Sequence, residues 1–258
     1  MYRSSPLVQQ RDTVVTVSLV SHDHGQMVAA LVQQLLACPE VGQLLVTFNV
    51  PERLALPDDS RVVVIHNSRP KGFGANHNEA FTRCQSQWFV VLNPDVMLQS
   101  NPFPALLQAA DQSNVGLVSP RAISALGTPE DGWRRFPTLF GLLRKWWGLG
   151  DGRYEHPAPD APAFSVEWVS GLCMCFRSDA YAALNGFDEG FFLYYEDVDI
   201  CARAWRKGMG VLACPAALVV HDGQRASRRS FLHMRWHFKS MLRYFGKHWG
   251  RLPKGAVV

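Results

Sequence analysis

The sequence has no apolar run approaching the roughly 18 residues that a membrane-spanning helix requires. Residues 1–12 are also too polar to form the apolar core of a signal peptide. From these two absences we expect a protein that stays in the cytoplasm. Charged residues make up only 19% of the chain and hydrophobic residues 47%. This composition excludes a disordered protein, because enough apolar surface can be buried to offset the entropy of ordering.

Acidic residues are absent from the end of the chain. The length of 258 residues allows one sizeable core, so we expect a single domain over residues 1–222 followed by a tail over residues 223–258. The tail contains nine Lys and Arg and no Asp or Glu, and the formal net charge of +4 is therefore a property of the tail. Nucleic acid and an anionic membrane surface are both suitable partners, and charge does not decide between them.

Basic residues of the tail recur every four positions, which lines them along one face of a helix. These residues are Arg235, Lys239, Arg243, Lys247 and Arg251. Apolar residues occupy neighbouring positions, so the pattern predicts a basic amphipathic helix. This helix either packs on the domain with a solvated basic face or lies at the surface of an anionic membrane. We disfavour a nucleic-acid-binding protein, because the basic stripe is confined to the tail.

Cysteine is sparse. There are six cysteines, and only Cys173 and Cys175 are close in sequence, at a spacing that places both on one face of a strand. We expect reduced, buried cysteines in a cytoplasmic protein, with a metal or redox pair as the alternative.

Short apolar runs alternate with helical patterns in the first half of the chain. The runs cover residues 14–20, 43–48, 61–65 and 88–92, and a helix is expected over 75–84 before the last of them. This alternation predicts an α/β fold with a mainly parallel sheet and helices on both faces. Ligands of such sheets bind beyond the carboxyl ends of the strands. The polar residues that follow the strands are therefore candidates, namely His22, Asn49, Asn67, Asn93 and Asp95.

The second half of the chain differs in character. Residues 127–163 are rich in Gly, Pro and aromatic residues, which predicts irregular structure around one short helix. We interpret this segment as a lid or acceptor-site insert. A further strand is predicted over 167–176, followed by a helix that begins at Ser178-Asp179, which suits a cap.

Asp95 follows its strand through Asn93-Pro94, and the proline ends the strand so that the carboxylate lies at its tip. A carboxylate there can bind Mg²⁺ or Mn²⁺ against a pyrophosphate, although capping of a turn explains Asn-Pro-Asp equally well. His221 follows the apolar run 217–220, and its imidazole suits a metal or phosphate ligand. A lone histidine is nevertheless more often structural.

Three acids, Glu196, Asp197 and Asp199, lie among aromatic residues directly before a helical pattern. The helix dipole favours acids at this position, so capping explains one or two of them. Apolar surroundings raise a carboxyl pKa, which suits a general base that removes a hydroxyl proton near neutral pH.

Residues 71–78 open a helix with the small residues Gly72 and Gly74, which let the backbone approach a ligand at the positive helix end. The segment lacks the glycine patterns of phosphate loops and dinucleotide-binding loops, so ATPase and dehydrogenase functions lose their main support. A sugar nucleotidyltransferase would need a glycine-rich loop bearing Arg or Lys after the first strand, and residues 21–25 are not such a loop.

In this order, the segments resemble glycosyltransferase family 2, particularly its rhamnosyltransferase branch, over roughly residues 14–245. The matching segments include Lys71-Gly72-Phe73-Gly74 with Asn78, Asn93-Pro94-Asp95, Trp168-Val169-Ser170-Gly171, residues 192–199, and His221 with Ser227. The resemblance implies a GT-A-type, Rossmann-like sheet in a single domain. It also implies inverting transfer of a sugar, L-rhamnose from dTDP-L-rhamnose, to a lipid-linked or polysaccharide acceptor of the GlcNAc type in bacterial O-antigen or cell-surface polysaccharide synthesis.

The resemblance also implies roles for individual residues. Asp197 matches the catalytic base, with Glu196 beside it, and Asp95 matches the acid that binds a divalent cation, Mg²⁺ or Mn²⁺, with His221 completing the metal site. The implied donor contacts are His22, Asn49, Asn67, Gly72, Phe73, Gly74, Asn78, Asn93 and Asp95. The implied acceptor contacts are Trp168, Ser170, Gly171 and Tyr195. The implied location is peripheral, on the cytoplasmic face of the bacterial inner membrane.

Two positions depart from the family pattern. Asn49 occupies the place of an Asp that usually binds the nucleobase, and Asn93 stands where a first carboxylate often precedes Asp95. An inactive relative and a family 2 enzyme that uses another nucleotide sugar therefore remain alternatives.

Overall fold

A computed structural model describes residues 15–111, 114–150, 152–155, 157–221 and 231–253. The strands within these residues are β1 (Val15–Ser21), β2 (Val41–Phe48), β3 (Val62–His66), β4 (Trp88–Leu92), β5 (Val96–Met97), β6 (Val115–Ser124), β7 (Trp133–Arg134), β8 (Phe164–Ser165), β9 (Trp168–Val169), β10 (Cys173–Arg177) and β11 (Gly210–His221). The helices are α1 (Gln26–Leu36), α2 (Phe73–Phe81), α3 (Phe103–Ala110), α4 (Leu139–Trp146), α5 (Ser178–Ala183), α6 (Glu196–Arg206) and α7 (Phe231–His248).

The main sheet has the strand order β3-β2-β1-β4-β10-β6-β11-β5, with β8 paired to β11. Strands β3, β2, β1 and β4 run parallel, and β6 and β11 are also parallel. Strand β10 is antiparallel to both of its neighbours, β4 and β6. The predicted α/β sheet is confirmed, and the antiparallel β10 makes it a mixed sheet.

The sheet separates two apolar cores, which confirms the prediction of helices on both faces. One core packs α1 and α3 against the sheet through residues such as Leu31, Leu35 and Leu106. The other core packs α2, α5, α6 and α7 against the opposite face through residues such as Tyr181 and Tyr244. Each fully buried Leu or Phe in these cores contributes about 1.5–3 kcal/mol. The strand ends are thereby held in a fixed arrangement.

Two local predictions are wrong. The single strand predicted over 167–176 is broken into β9, which pairs with β7 in a small separate sheet, and β10, which lies in the main sheet. The backbone leaves the strand between them because the N–H of Ser170 bonds to the carbonyl of Gly132 and that of Gly171 bonds to Asp197. The predicted start of the next helix at Ser178-Asp179 is confirmed, since α5 begins at Ser178, but the predicted capping role is wrong because the N-cap is Arg177.

In their described part, residues 127–163 contain the one predicted helix, α4, but they also contain the short strand β7, which the expectation of otherwise irregular chain did not include. The six cysteines are free thiols, five of them buried and Cys84 partly exposed, which agrees with the predicted reduced state. Within the described residues, no helix combines the length and apolar character needed to cross a bilayer.

Helix α7 packs on the domain through Ser240, Tyr244 and His248, which are buried and recur every four residues. Its basic residues Arg243 and Lys247 form ion pairs with Asp188, at 2.8 and 2.6 Å. The predicted helical tail is thus present over the described residues. The remainder of the tail at 223–230 and 254–258, including Ser227, lies outside the described residues.

Candidate active site

The carboxyl ends of β1, β2 and β3 bring three predicted donor residues together. The amide Oδ1 of Asn49 accepts hydrogen bonds from the Nδ2 of Asn67 and from the backbone N–H of Lys71, both at 2.8 Å. The Nδ2 of Asn49 lies 3.0 Å from the carbonyl of Lys71, to which it donates, and 3.2 Å from the Nδ1 of His22. His22, Asn49 and Asn67 therefore form one hydrogen-bonded group beside the start of α2.

These contacts explain why an amide replaces the expected carboxylate at position 49. Asn49 donates to the carbonyl of Lys71 and accepts from the N–H of the same residue. A carboxylate cannot donate, so an aspartate would face that carbonyl with a second acceptor. Asn67, in contrast, keeps a buried Oδ1 without a hydrogen-bond partner among the described residues. Within this hydrogen-bonded group, the Oδ1 of Asn67 is therefore the hydrogen-bond acceptor that a ligand can use.

The loop between β1 and α1 is fixed by Glu52, which the sequence did not single out. The carboxylate of Glu52 accepts hydrogen bonds from the hydroxyl of Ser21 and, at 2.7 Å, from the backbone N–H of Gly25. This holds the segment that carries His22 close to the end of β2.

Gly72 and Gly74 allow the start of α2 to approach the chain around residues 187–192. A Cβ at Gly72 would lie 2.6 Å from the carbonyl oxygen of Phe192, and one at Gly74 would lie 2.5 Å from the Cβ of Phe187. The N–H of Phe73 also donates to the carbonyl of Phe192 at 2.9 Å. The glycines thus serve packing within the protein, and their contact with a donor stays a prediction.

Asn78 joins α2 to the turn that follows α5. Its Oδ1 accepts from the hydroxyl of Tyr181 and the N–H of Phe187, and its Nδ2 donates to the carbonyl of Phe187 and to Glu189. The amide is therefore fully used within the chain. A contact between Asn78 and a donor stays a prediction.

The ends of β4 and β11 bring Asp95 and His221 together. The Nε2 of His221 lies 3.1 Å from the Oδ2 of Asp95, and its Nδ1 lies 3.8 Å from Glu130. The hydrogen bond with Asp95 raises the pKa of His221. Asn93 holds the turn before Asp95, because its N–H donates to the carbonyl of Leu172 at 3.0 Å.

The donor set at Asp95 suits a divalent cation. Among the described residues, the Oδ1 of Asp95 and the Nδ1 of His221 are buried and have no hydrogen-bond partner. Carboxylate oxygen and imidazole nitrogen are ligands that Mn²⁺ accepts, and Mg²⁺ accepts the carboxylate. Within the described residues there is no group of three His, Cys, Asp or Glu positioned for a metal. A cation held by Asp95 and His221 would therefore complete its coordination with water and substrate oxygens.

Asp197 and Glu196 open α6 and line a cavity of about 730 Å³. The Oδ2 of Asp197 accepts from the N–H of Gly171 at 3.1 Å, and its Oδ1 accepts from the N–H of Val198 at 2.8 Å. Burial raises the pKa of Asp197, and these backbone hydrogen bonds reduce the increase. Burial and the charge of Asp197 raise the pKa of Glu196 well above its usual range. A carboxylate held in this way, with a raised pKa, can act as a general base, and the assignment of that role to Asp197 stays a prediction.

Three of the four predicted acceptor residues lie at the cavity or contact Asp197, and the fourth does not. Trp168 and Tyr195 line the same cavity, and Gly171 contacts Asp197 directly. A Cβ at Gly171 would lie 3.2 Å from the ring of Phe73, so this glycine lets α2 lie close to Asp197. Ser170 contributes a backbone hydrogen bond to Gly132 and is not part of the cavity lining.

The residues before α6 have an unusual backbone conformation. Tyr194 and Tyr195 have φ angles of 72° and 67°, in the left-handed region that non-glycine residues rarely adopt. Helix α7 packs against them, since the hydroxyl of Tyr194 lies 2.9 Å from the Nδ1 of His233 and the ring of Tyr195 contacts His237. Such strain persists only where the surrounding structure enforces it. The tail helix therefore helps to fix the chain that presents Asp197.

Asp199 anchors α6 to α7. Its fully buried carboxylate pairs with Arg203 at 2.7 Å, with Lys247 at 2.7 Å and with His248 at 2.8 Å. Burial acts to raise the pKa of Asp199, but these three partners outweigh it and hold the pKa well below the usual range. Asp199 is therefore an ionised structural residue.

Three arginines line the cavity that contains Asp197, namely Arg134, Arg135 and Arg153. We did not predict a role for these three residues from the sequence. The signal that could have indicated one is the pair Arg134-Arg135, which lies between aromatic residues. His237 and Phe140 line the same cavity from α7 and α4. The basic wall faces the carboxylates of α6 and gives the cavity both signs of charge.

Comparison with known proteins shows the family to which the chain belongs. A family model described as Glycosyltransferase like family 2 matches residues 15–239. Rhamnosyltransferase WbbL of Escherichia coli (strain K12) is 24% identical over 247 residues, which are 91% of this chain and 93% of that protein. The N-acetylglucosaminyl-diphospho-decaprenol L-rhamnosyltransferase of Mycobacterium tuberculosis (strain ATCC 25618 / H37Rv) is 29% identical over 178 residues. These residues are 64% of this chain and 58% of that protein.

Among solved structures, a crystal structure of GalNAc-T7 with UDP, GalNAc and Mn²⁺ matches with a TM-score of 0.67 at 14% identity. The match covers 83% of this chain and 44% of that protein, so the chain spans less than half of it. At this identity the likeness concerns the fold, and it confirms the expected GT-A type of sheet.

Proposed function

Because this chain belongs to glycosyltransferase family 2, we propose that it transfers L-rhamnose from dTDP-L-rhamnose, with inversion, to a lipid-linked acceptor of the GlcNAc type. Support comes from relatives named as rhamnosyltransferases, which match 91% and 64% of the chain. The proposed setting is assembly of bacterial O-antigen or another cell-surface polysaccharide.

The observation that carries this proposal is the placement of Asp197. Its carboxylate is held by two backbone N–H groups in a buried cavity, with a raised pKa. Asp197 would take the proton of the acceptor hydroxyl while the hydroxyl oxygen bonds to the anomeric carbon of the donor sugar. The bond from that carbon to the diphosphate oxygen would break on the opposite face, and the single displacement would invert the anomeric centre.

The donor side fits a nucleotide with a pyrimidine base. The buried Oδ1 of Asn67 has no partner among the described residues, so it can accept the N3–H of thymine or uracil. Asp95 and His221 would hold a divalent cation near the diphosphate. Such a cation neutralises charge that develops on the leaving diphosphate.

We also propose that the protein lies on the cytoplasmic face of the inner membrane. Phe231, Phe238 and Leu242 follow one another at a spacing that places them on one face of α7, Trp249 follows directly after the helix, and all four are exposed. Phe140 and Trp147, on and directly after α4, are also exposed, at 70% and 73%. Exposed apolar side chains beside basic residues suit the interface of an anionic bilayer. Arg243 and Lys247 are ion-paired, which leaves Arg235 and Lys239 as exposed cations of the described helix.

The test is release of nucleoside diphosphate from dTDP-, UDP- and GDP-sugars in the presence of Mg²⁺ or Mn²⁺ and a GlcNAc-diphospho-lipid mimic. We expect turnover of dTDP-rhamnose that EDTA abolishes. Asp197→Asn should lower kcat by about 10²- to 10⁴-fold while the affinity for dTDP is retained. Asp179→Asn, which changes an exposed acid on α5, is the matched control and should leave kcat unchanged.

Each alternative has its own result in this assay. Turnover of another nucleotide sugar would retain the base and discard rhamnose as the substrate. Full activity of Asp197→Asn would contradict the proposed base. Absence of turnover with every donor, despite binding of dTDP, would support an inactive relative.

A further inference from the structure

The cavity that contains Asp197 has a second chemical feature at its wall, the guanidinium of Arg135. We propose that Arg135 binds the diphosphate that links the acceptor sugar to its lipid. This inference rests on the proposed function, because it concerns the acceptor of the same transfer, and it assigns a residue to the anionic part of that acceptor.

Both backbone polar groups of Arg135 are hydrogen-bonded. Its N–H donates to the carbonyl of Gly152 at 2.8 Å, and its carbonyl accepts from the indole Nε1 of Trp168 at 2.8 Å. The guanidinium lies 5.7 Å from the ring centre of Tyr154, in a cation–π contact. The side chain is nevertheless exposed. It is thus ordered by its neighbours and open to a ligand.

The charges around Arg135 leave it available for an anion. Arg134 and Arg153 both pair with Asp131. Glu167, the nearby acid of the cavity wall, accepts the backbone N–H of Phe136. Within the described part of the chain, no carboxylate forms an ion pair with Arg135. The guanidinium therefore keeps its donors for a phosphate, which it can bind through two parallel hydrogen bonds.

Arg135 and Asp197 line the same cavity. The indole of Trp168 donates to the carbonyl of Arg135, and the N–H of Gly171, three residues further along, donates to Asp197. One cavity therefore offers both the proposed base and a guanidinium to an acceptor whose hexose hydroxyl lies at Asp197 and whose anomeric diphosphate lies at Arg135.

The rim of the cavity suits the lipid part of such an acceptor. Phe140 and Leu149 line the cavity and are exposed, at 70% and 58%. Apolar side chains at the rim would contact the first units of a lipid chain, and the diphosphate would lie between them and the catalytic carboxylate. The donor also carries a diphosphate, so the experiment must separate these two sources of the same chemistry.

The test compares two short-chain acceptor mimics, a GlcNAc-diphospho-alkyl compound and an alkyl GlcNAc glycoside without phosphate. Their dissociation constants and that of dTDP are measured on the wild type, Arg135→Gln and Arg135→Lys by calorimetry. We expect Arg135→Gln to weaken binding of the diphosphate compound by about 10- to 100-fold. Binding of the phosphate-free glycoside and of dTDP should change by less than about twofold, and Arg135→Lys should retain part of the affinity.

Arg177→Gln is the matched control, because Arg177 makes a similar cation–π contact with Trp88 at 5.8 Å, at the opposite end of the sheet. This variant should bind all three ligands as the wild type does. An equal loss for both acceptor mimics would assign Arg135 a packing role and overturn the inference. A loss confined to dTDP would assign it to the donor diphosphate instead.

These binding measurements need no transfer reaction, so they separate the inference from the proposed function. If the wild type does not prefer the diphosphate compound over the phosphate-free glycoside, the inference is wrong. If that preference is present and depends on Arg135, but no donor supports turnover, the failure lies with the proposed function.

Discussion

The backbone N–H of Gly171 donates a hydrogen bond to the Oδ2 of Asp197 across 3.1 Å. This contact joins the break between β9 and β10 to the first turn of α6, two parts of the chain that are 26 positions apart. It fixes the orientation of the carboxylate without neutralising it. If Asp197 is the base, as we propose, it is positioned before any acceptor binds, which would lower the cost of reaching the transition state.

The pH dependence of the reaction should report the environment of Asp197. Burial raises its pKa, and a general base must be deprotonated to accept a proton. We expect kcat/KM to rise with pH on the acid side, with a midpoint above the ordinary aspartate pKa of about 3.9. A pH–rate profile with the donor saturating measures this. A midpoint at or below the ordinary value would contradict a buried base.

Loss of the Asp199 carboxylate should destabilise the whole protein. Asp199→Asn leaves Arg203, Lys247 and His248 without their shared partner in a buried position, which should lower the free energy of unfolding by about 3–5 kcal/mol. Urea unfolding at neutral pH measures the loss. Asp179→Asn is the control, since that carboxyl is 72% exposed, and it should change stability by less than about 1 kcal/mol.

The same pair of variants gives a pH test. The folded pKa of Asp199 is depressed, so its contribution to stability is present above the unfolded pKa of about 3.9 and is lost as pH falls through the folded pKa. The difference between the wild type and Asp199→Asn should therefore shrink only below about pH 4. A constant difference down to strongly acidic pH would show that the carboxylate charge is not what stabilises α7.

Restoring the carboxylate usual for the family at position 49 should not improve the enzyme. In Asn49→Asp the donor to the carbonyl of Lys71 is lost, and two acceptors face each other. We expect a loss of about 1–3 kcal/mol in stability and weaker binding of dTDP, because the start of α2 shifts. Thermal unfolding and dTDP titration measure the two effects. Tighter dTDP binding by Asn49→Asp would show that the Asn49 network is not optimised for this chain.

Membrane binding should depend on the exposed cations of α7. Replacing Arg235 and Lys239 together by Glu should weaken binding to vesicles that contain anionic lipid, since each basic residue near the surface contributes roughly 1 kcal/mol. Sedimentation with vesicles of mixed zwitterionic and anionic lipid measures this. A double variant at Arg206 and Lys207, at the end of α6, is the charge-matched control. Equal binding by both double variants would contradict the proposed membrane surface.

Much of the sheet is predictable from the sequence. Strands β1 to β4 are short apolar runs bounded by turns, so their position and the polar residues at their carboxyl ends can be read from the pattern. The break between β9 and β10 after Val169 cannot be predicted in this way, because Gly171 lies within an apolar run. The backbone there turns toward Gly132 and Asp197, and both partners are distant in sequence.

The sequence predicts which residues belong to the site, but it does not predict which of them contact each other. Asp95 and His221 are each expected at a strand end, but their contact across 126 positions depends on the placement of β11 in the sheet. Similarly, the four-residue repeat of α7 indicates a helix without deciding which face is covered. Ser240, Tyr244 and His248 turn inward because Asp199 and the carbonyl of Leu193 provide partners for His248 and Ser240.

The ion pairs of Asp199 also bear on how the enzyme matures. A ribosome releases the chain from its N-terminus, so the sheet and α6 emerge before α7. At that stage Asp199 has Arg203 from its own helix, and it gains Lys247 and His248 only when α7 emerges and packs. A carboxylate suited to a dry interior is incompletely neutralised until then. We therefore expect the helix that begins with Glu196 and Asp197 to reach its final packing only once α7 has been synthesised, and transfer activity to arise only then.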